Sequence, residues 1–243
     1  QLYLVYQPQM ALDGDRAIGV EALVRWRHPE LGTISPADFI PVAEETRLIL
    51  AVGDWVLHTA CQQFQQWRAA GHAPGRLAVN ISPVQVHDGG LIDSVKAALE
   101  ISGLPADCLE LEVTEAVFLS EGAARTFHHL QELGVELSVD DFGTGFSSLA
   151  YLKRLPVERL KIDRSFINDM LTDPNDRAIV RSVIALSESL GLRVLAEGVE
   201  TREQAEALRA EGCHEAQGFL YHRPLDAAEL GQWLAAGPRP PQG

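Results

Sequence analysis

Short apolar, β-branched runs recur along the chain at 2–7, 17–25, 77–81, 109–113, 136–139, 159–162, 193–196 and 215–217, giving eight strand candidates. Between them the apolar spacing shifts to a helical period. Val52, Val56, Ala60, Phe64 and Trp67 share one stripe, and Ile179, Val180, Val183, Ile184 and Leu190 share another. Gly71, Gly103, Gly134, Gly191 and Gly212 each follow a helical stretch and precede a strand candidate. Helix, glycine and strand in repeated order predict parallel βα units. Only Gly14 and its polar neighbours separate the first two strands, a hairpin-like connection that makes this pair antiparallel. The fold expected is α/β, a TIM-like (β/α)8 barrel with the first strand antiparallel to the others. No linker or composition shift divides the interior, so residues 1–236 read as one domain and 237–243, GPRPPQG, as a flexible C-terminal tail.

Composition narrows the function. A net charge of −14, from 34 acidic against 20 basic residues, argues against a polymeric nucleic-acid partner, because counterion release needs a basic surface. The same acidic excess repels a phosphate substrate unless bound cations neutralise part of it. Cys61, Cys108 and Cys213 are odd in number and widely spaced, which is neither a disulfide framework nor a zinc pattern. They read as core thiols of a reducing cytoplasm. No apolar run reaches the ~18 residues that span a bilayer, no signal peptide is evident, and no membrane contact by this domain is expected. The chain opens inside a strand candidate, LYLVYQ, and so reads as a cytoplasmic domain of something longer, which a membrane anchor elsewhere in the parent protein would suit.

The polar residues worth attention lie at strand ends. Asn80 closes LAVN, Glu112 lies in LELEVTE, Asp140 and Asp141 follow ELSV, Lys161 lies in RLKID, Glu197 follows RVLA, and Gln217 precedes Gly218. In a βα barrel the C-terminal strand ends converge on one face, and Glu21 in GVEALVRW can join them. Five carboxylates, a neutral oxygen ligand and one amine on a face call for cations, since the acids cannot all stay ionised together without them. Oxygen ligands without His or Cys point to Mg²⁺ or Mn²⁺. Asp140 and Asp141 can bridge or split between two ions, an arrangement suited to in-line displacement at phosphorus. Lys161 is placed to hydrogen-bond the attacking water or a non-bridging oxygen. The carboxylates are expected to lie in a surface cleft, so that their loss leaves folding intact.

From YQP at 6–8 to RPL at 223–225 the chain resembles the EAL domain family. The residues that carry the resemblance are Glu21-Ala22-Leu23 in EALVRW, VNIS at 79–82, EVTE at 112–115, DDFGTGFSSL at 140–149, KID at 161–163, EGVE at 197–200 and QGF at 217–219. The resemblance implies hydrolysis of cyclic di-GMP to linear pGpG with two Mg²⁺ or Mn²⁺ ions. It gives Glu21, Asn80, Glu112 and Asp140 to one ion and Asp140, Asp141 and Glu197 to the other, with Glu197 as ligand or general base. It makes Lys161 the contact of the catalytic water, and Gln7, Leu23, Arg25, Asp163, Glu200 and Gln217 the substrate-side residues. Arg25 suits this, because a guanidinium pairs bidentately with phosphate or with guanine O6 and N7, while Asp163 can accept from guanine N1 and N2. Glu115 resembles a residue that anchors the FGTGFSS loop, which the family couples to a homodimer interface. Arg47 in EETRLI departs from the family, which often has glycine there. Three other readings stay open: a receptor that binds cyclic di-GMP without cleaving it, an inactive scaffold, and an enolase-like barrel acting on a carboxylate.

Overall fold

The computed structural model describes all residues except Asp15, Leu119, Glu121, 145–151, 153–155 and 238–243, and the side chain of Phe118. Most of the tail and the 145–148 part of FGTGFSS therefore lie outside the described residues. The strands are β1 (Leu2–Ala11), β2 (Arg16–His28), β3 (Gly32–Ile34), β4 (Arg76–Asn80), β5 (Leu109–Thr114), β6 (Glu136–Phe142), β7 (Arg159–Ile162), β8 (Arg193–Ala196) and β9 (Glu215–Ala216). Eight of them run in the order β1-β9-β8-β7-β6-β5-β4-β2, and β2 pairs back to β1 to close the barrel. β1 is antiparallel to both neighbours, whereas the other barrel pairings are parallel. The expected architecture is thus present. β3, a three-residue extension antiparallel to the end of β2, was not expected, because so short a strand shows no alternation.

The helices are α1 (Pro36–Glu45), α2 (Ile49–Ala69), α3 (Pro83–Asp88), α4 (Leu91–Ser102), α5 (Glu115–Phe118), α6 (Ala123–Glu132), α7 (Arg164–Asp169), α8 (Pro174–Leu190), α9 (Arg202–Ala210) and α10 (Ala227–Ala236). The apolar core lies between barrel and helices. On β5, Leu109, Leu111 and Val113 belong to it, as do Leu137 and Val139 of β6 and Leu160 and Ile162 of β7. Strand side chains alternate, so the residues between these, Glu110, Glu112, Ser138, Arg159 and Lys161, point into the barrel. On β5, β6 and β7 the side that faces into the barrel is therefore polar, while each buried Leu, Ile or Val outside it contributes about 1.5–3 kcal/mol. α2 supplies Val56, Ala60, Phe64 and Trp67 to this shell, and Trp67 meets Tyr6 of β1 edge-on with ring centroids 4.9 Å apart. Among the described residues no helix is long and apolar enough to cross a membrane. The three cysteines are free, and burial pushes the Cys61 and Cys213 thiols up to about 12.

The five glycines between helix and strand all have positive φ, from 68° to 91°, which the turn out of a helix requires. Arg47 shares this conformation at φ 60°, just after α1, which accounts physically for glycine at the matching family position. A side chain in this region costs about 1–2 kcal/mol. Its ion pair to Asp88 offsets little, because the Arg47 side chain is 62% exposed and such pairs contribute about 0–1 kcal/mol. Arg47→Gly is therefore expected to leave stability unchanged or raise it by up to about 1 kcal/mol. A clear fall in the urea midpoint would show that the ion pair outweighs the backbone.

Candidate active site

Three of the strands that carry site residues, β4, β7 and β8, lead into capped helices. Ser82, two residues beyond Asn80, forms a capping box with Gln85 at the start of α3. Asp163, two beyond Lys161, caps α7 by accepting from the Ser165 backbone N–H. Thr201, next to Glu200, forms a capping box with Gln204. These caps stop the segments that carry the functional side chains from fraying.

The adjacent aspartates need a distortion to act together. In a regular strand Asp140 and Asp141 would face opposite sides of the sheet, but the β6–β7 register shifts between Val139 and Phe142, and Asp141 has φ 54°. Aspartate tolerates this left-handed conformation better than most residues. The result brings carboxylate oxygens of Asp140, Asp141 and Glu197 within 4.8 Å of one another.

Lys161 lies at the centre of the acids. Its Nζ is 2.7 Å from Glu112, 2.7 Å from Glu197, 3.0 Å from Asp140 and 4.0 Å from Glu21. Burial works against its charge, but Asp140, Glu112, Glu197 and Glu21 hold the ammonium well above its usual range. Burial raises the Glu112 carboxyl well above normal despite Lys161. It also pushes Glu197 up to about 8, with Asp140 adding repulsion, and Asp141 up to about 6, again with Asp140 adding repulsion. Glu21 goes the other way. Burial opposes its charge, but Lys161 and hydrogen bonds donated by Gln217 and Asn80 outweigh that and lower its pKa. Asn80 Nδ2 is 2.6 Å from Glu21 Oε1, and Gln217 Nε2 is 2.5 Å from Glu21 Oε2 and 3.1 Å from Gln7 Oε1.

One expectation needs correction. Of the carboxylates expected in a surface cleft, Glu112 is 1% exposed and does not line the cleft, and Glu21, which does, is only 5% exposed and stands inside the barrel mouth. The cause is the alternation that turns the polar side of β2, β5 and β7 inward. Over this mouth opens a cleft of about 330 Å³ whose lining includes Gln7, Glu21, Leu23, Arg25, Asp140, Glu197, Glu200 and Gln217. Arg25 donates to its own Val24 carbonyl at 2.8 Å, and burial lowers its pKa. Asp163 is the exception: its Oδ1 is occupied by Ser165, whose hydrogen bonds outweigh burial and lower its pKa, and it does not line the cleft. Glu115 accepts from the Gly143 N–H at 3.3 Å, so it holds the start of the segment it was expected to anchor.

Arg164, Asn168, Phe219 and Pro224 also line the cleft and were not read from the sequence. The glycines of QGF and EGVE give one signal. A Cβ on Gly218 would lie 2.1 Å from Val199 O and 2.3 Å from Val199 N, both backbone atoms that cannot turn aside. Val199 N–H donates to Gln217 O, and Leu220 N–H to Val199 O, so the two motif loops are stitched together here. Gly218→Ala is expected to cost about 3 kcal/mol or more, the upper end for overpacking. A wild-type urea midpoint for that variant would contradict this account.

The residues suit divalent cations. The oxygens of Glu112 and Asp140 Oδ1 are buried without an aligned hydrogen-bond partner, and hard oxygen donors dominate the set. The second expected set, Asp140, Asp141 and Glu197, is already converged. The first is looser, with the Asn80 amide nitrogen turned to Glu21 and Lys161 Nζ among Glu21, Glu112 and Asp140.

Comparison with known proteins decides the family, for the profile of the EAL domain matches residues 1–224. The chain belongs to the EAL domain family. This EAL domain is 48% identical over 95% of its length to the bifunctional diguanylate cyclase/cyclic di-GMP phosphodiesterase MucR of Pseudomonas aeruginosa, covering 34% of that protein. It is 46% identical over 97% of its length to the cyclic di-GMP phosphodiesterase NbdA of the same organism, covering 30% of that protein. The chain thus spans about a third of the length of these curated relatives. Its fold matches the solved PaMucR phosphodiesterase, c-di-GMP complex, with a TM-score of 0.92 and 48% identity over 95% of this chain and 94% of that one. It also matches the EAL domain of Mycobacterium smegmatis DcpA, with a TM-score of 0.85 and 40% identity over 99% and 100% of the two chains.

Proposed function

We propose that this EAL domain hydrolyses cyclic di-GMP to linear 5′-pGpG, with Glu21, Asn80, Glu112, Asp140, Asp141 and Glu197 holding two Mg²⁺ or Mn²⁺ ions. The observation that carries this reading is the ring of carboxylates around buried Lys161 beneath an open cleft, in a chain that shares 48% identity with a phosphodiesterase solved with cyclic di-GMP. Bound ions would supply Lewis-acid polarisation of a phosphoryl oxygen and neutralise its developing charge. In the reaction, water adds to phosphorus, the P–O3′ bond breaks and the leaving oxygen takes up a proton.

The chain's own residues have these roles. Lys161 stays cationic and holds the attacking water or a non-bridging oxygen. Glu197, 2.7 Å from Lys161, is the acceptor of that water's proton in the arrangement where it is not a ligand. Gln217 and Asn80 keep Glu21 in one orientation. Gln7, Leu23, Arg25 and Glu200 line the cleft on the substrate side. Asp163, proposed to accept from guanine, caps α7 through Oδ1.

The test is nucleotide chromatography of purified protein incubated with cyclic di-GMP in Mg²⁺, Mn²⁺ or EDTA. Metal-dependent pGpG is expected; tight binding without product would replace this reading with that of a receptor. A homodimer with a cytoplasmic setting is part of the same proposal, and a concentration-independent monomer mass would remove the dimer.

A further inference from the structure

Beneath the catalytic carboxylates the barrel holds a second polar layer built on the same strands. Strand residues two apart face the same side about 7 Å from one another. Two residues before Glu21 stands Gly19; before Glu112, Glu110; before Lys161, Arg159; and before Gln217, Glu215. β2, β5, β7 and β9 alternate around the barrel, so Glu110, Arg159 and Glu215 form one layer of side chains, as barrel interiors do, with Gly19 as its open position.

Arg159 fills that layer and is 0% exposed. Its Nη1 donates to Glu110 Oε1 at 3.0 Å and to Gln9 Oε1 at 3.2 Å, while its Nη2 lies 2.9 Å from Glu215 Oε2. One guanidinium thus ties β7 to β5, β9 and β1 across the barrel. Gly19 leaves the space: a Cβ there would lie 2.7 Å from Gln9 Oε1. Every strand that Arg159 joins carries a site residue one step higher: Gln7, Glu112, Lys161 and Gln217.

We propose that Arg159 is a positioning residue, setting the relative height of β1, β5, β7 and β9 so that Glu112 and Lys161 meet and Gln217 reaches Glu21. It touches no substrate. The inference rests on the phosphodiesterase reading for its kinetic consequence, but its geometric consequence, divalent-cation affinity, does not require turnover.

Removing Arg159 alone leaves Glu215 without its 2.9 Å ion pair and Glu110 with only Arg76, 3.4 Å away, so the main test uses Arg159→Met, Glu110→Gln, Glu215→Gln, which takes away the cation together with both acids it pairs, with Arg159→Lys beside it. Lysine keeps the charge but cannot span two carboxylates in one plane. Mn²⁺ affinity of metal-stripped protein, read by electron paramagnetic resonance without substrate, is expected to fall by about tenfold or more in the triple variant, the scale of residues that orient ligands. kcat should fall in parallel with KM little changed, and Arg159→Lys should lie between. Wild-type Mn²⁺ affinity and kcat in either folded variant would overturn the proposal. So would a lowered melting temperature and raised KM with unchanged Mn²⁺ affinity, because that is the signature of general loosening. If the wild-type protein binds Mn²⁺ but makes no pGpG, the phosphodiesterase reading fails while the affinity test still decides the role of Arg159.

Discussion

Asparagine at position 140 is expected to abolish cyclic di-GMP hydrolysis, lowering kcat by about three orders of magnitude, the upper scale for losing one group that stabilises developing charge. Asp140 is the acid shared between the two proposed ion sites, and its oxygen lies 3.0 Å from Lys161 Nζ. Folding should survive, because the side chain is 14% exposed and stands among like charges, so an amide relieves repulsion while losing one ion pair. Glu21→Ala is a poorer test despite its place in the family signature. Glu21 accepts from both Asn80 and Gln217, and truncating it strands two enclosed amide donors at about 1–3 kcal/mol each. Wild-type turnover in folded, Mg²⁺-loaded Asp140→Asn would sink the ion assignment.

The barrel was legible because its signals are local. Alternation and the glycines after helices identify βα units, and Gly14 between two strand runs marks the one reversal. The strand-end acids were legible because topology brings such positions together. What sequence reading lost was depth. LELEV reads equally as a strand facing a cleft or one facing a sealed interior, and only closure of the barrel shows that Glu112 is buried. The lower layer was lost for a related reason. Gln7 and Gln9, Glu110 and Glu112, Arg159 and Lys161, Glu215 and Gln217 are all polar pairs at a spacing of two, but reading only strand ends discards the first member in β5, β7 and β9. The bulge at Asp141 was hidden as well, since nothing in DDFG states that one aspartate takes a positive φ.

Replacing Lys161 by methionine should expose how the metal-free site is balanced. Its ammonium is the counter-charge of Glu21, Glu112, Asp140 and Glu197, all within 4.0 Å, and removing one member of a buried charge cluster costs about 3–5 kcal/mol. The loss should depend on pH, with a sign that follows from the carboxyls. Glu112 is already raised well above its usual range and Glu197 to about 8, and losing the lysine raises both further. A carboxyl whose folded pKa exceeds its unfolded value near 4.3 binds its proton more tightly in the folded state, so stability falls as pH rises from there through the folded pKa. Lys161→Met should therefore be far less stable than wild type at pH 8 and close to it near pH 5. Divalent cations should oppose the defect, because an ion that binds only the folded state raises stability with its concentration. Melting curves at pH 5 and pH 8, with EDTA or with Mg²⁺, read both effects. An equal deficit at the two pH values, with no larger Mg²⁺ response than wild type, would mean that Lys161 serves packing rather than charge, and that it does not shift the carboxyls around it.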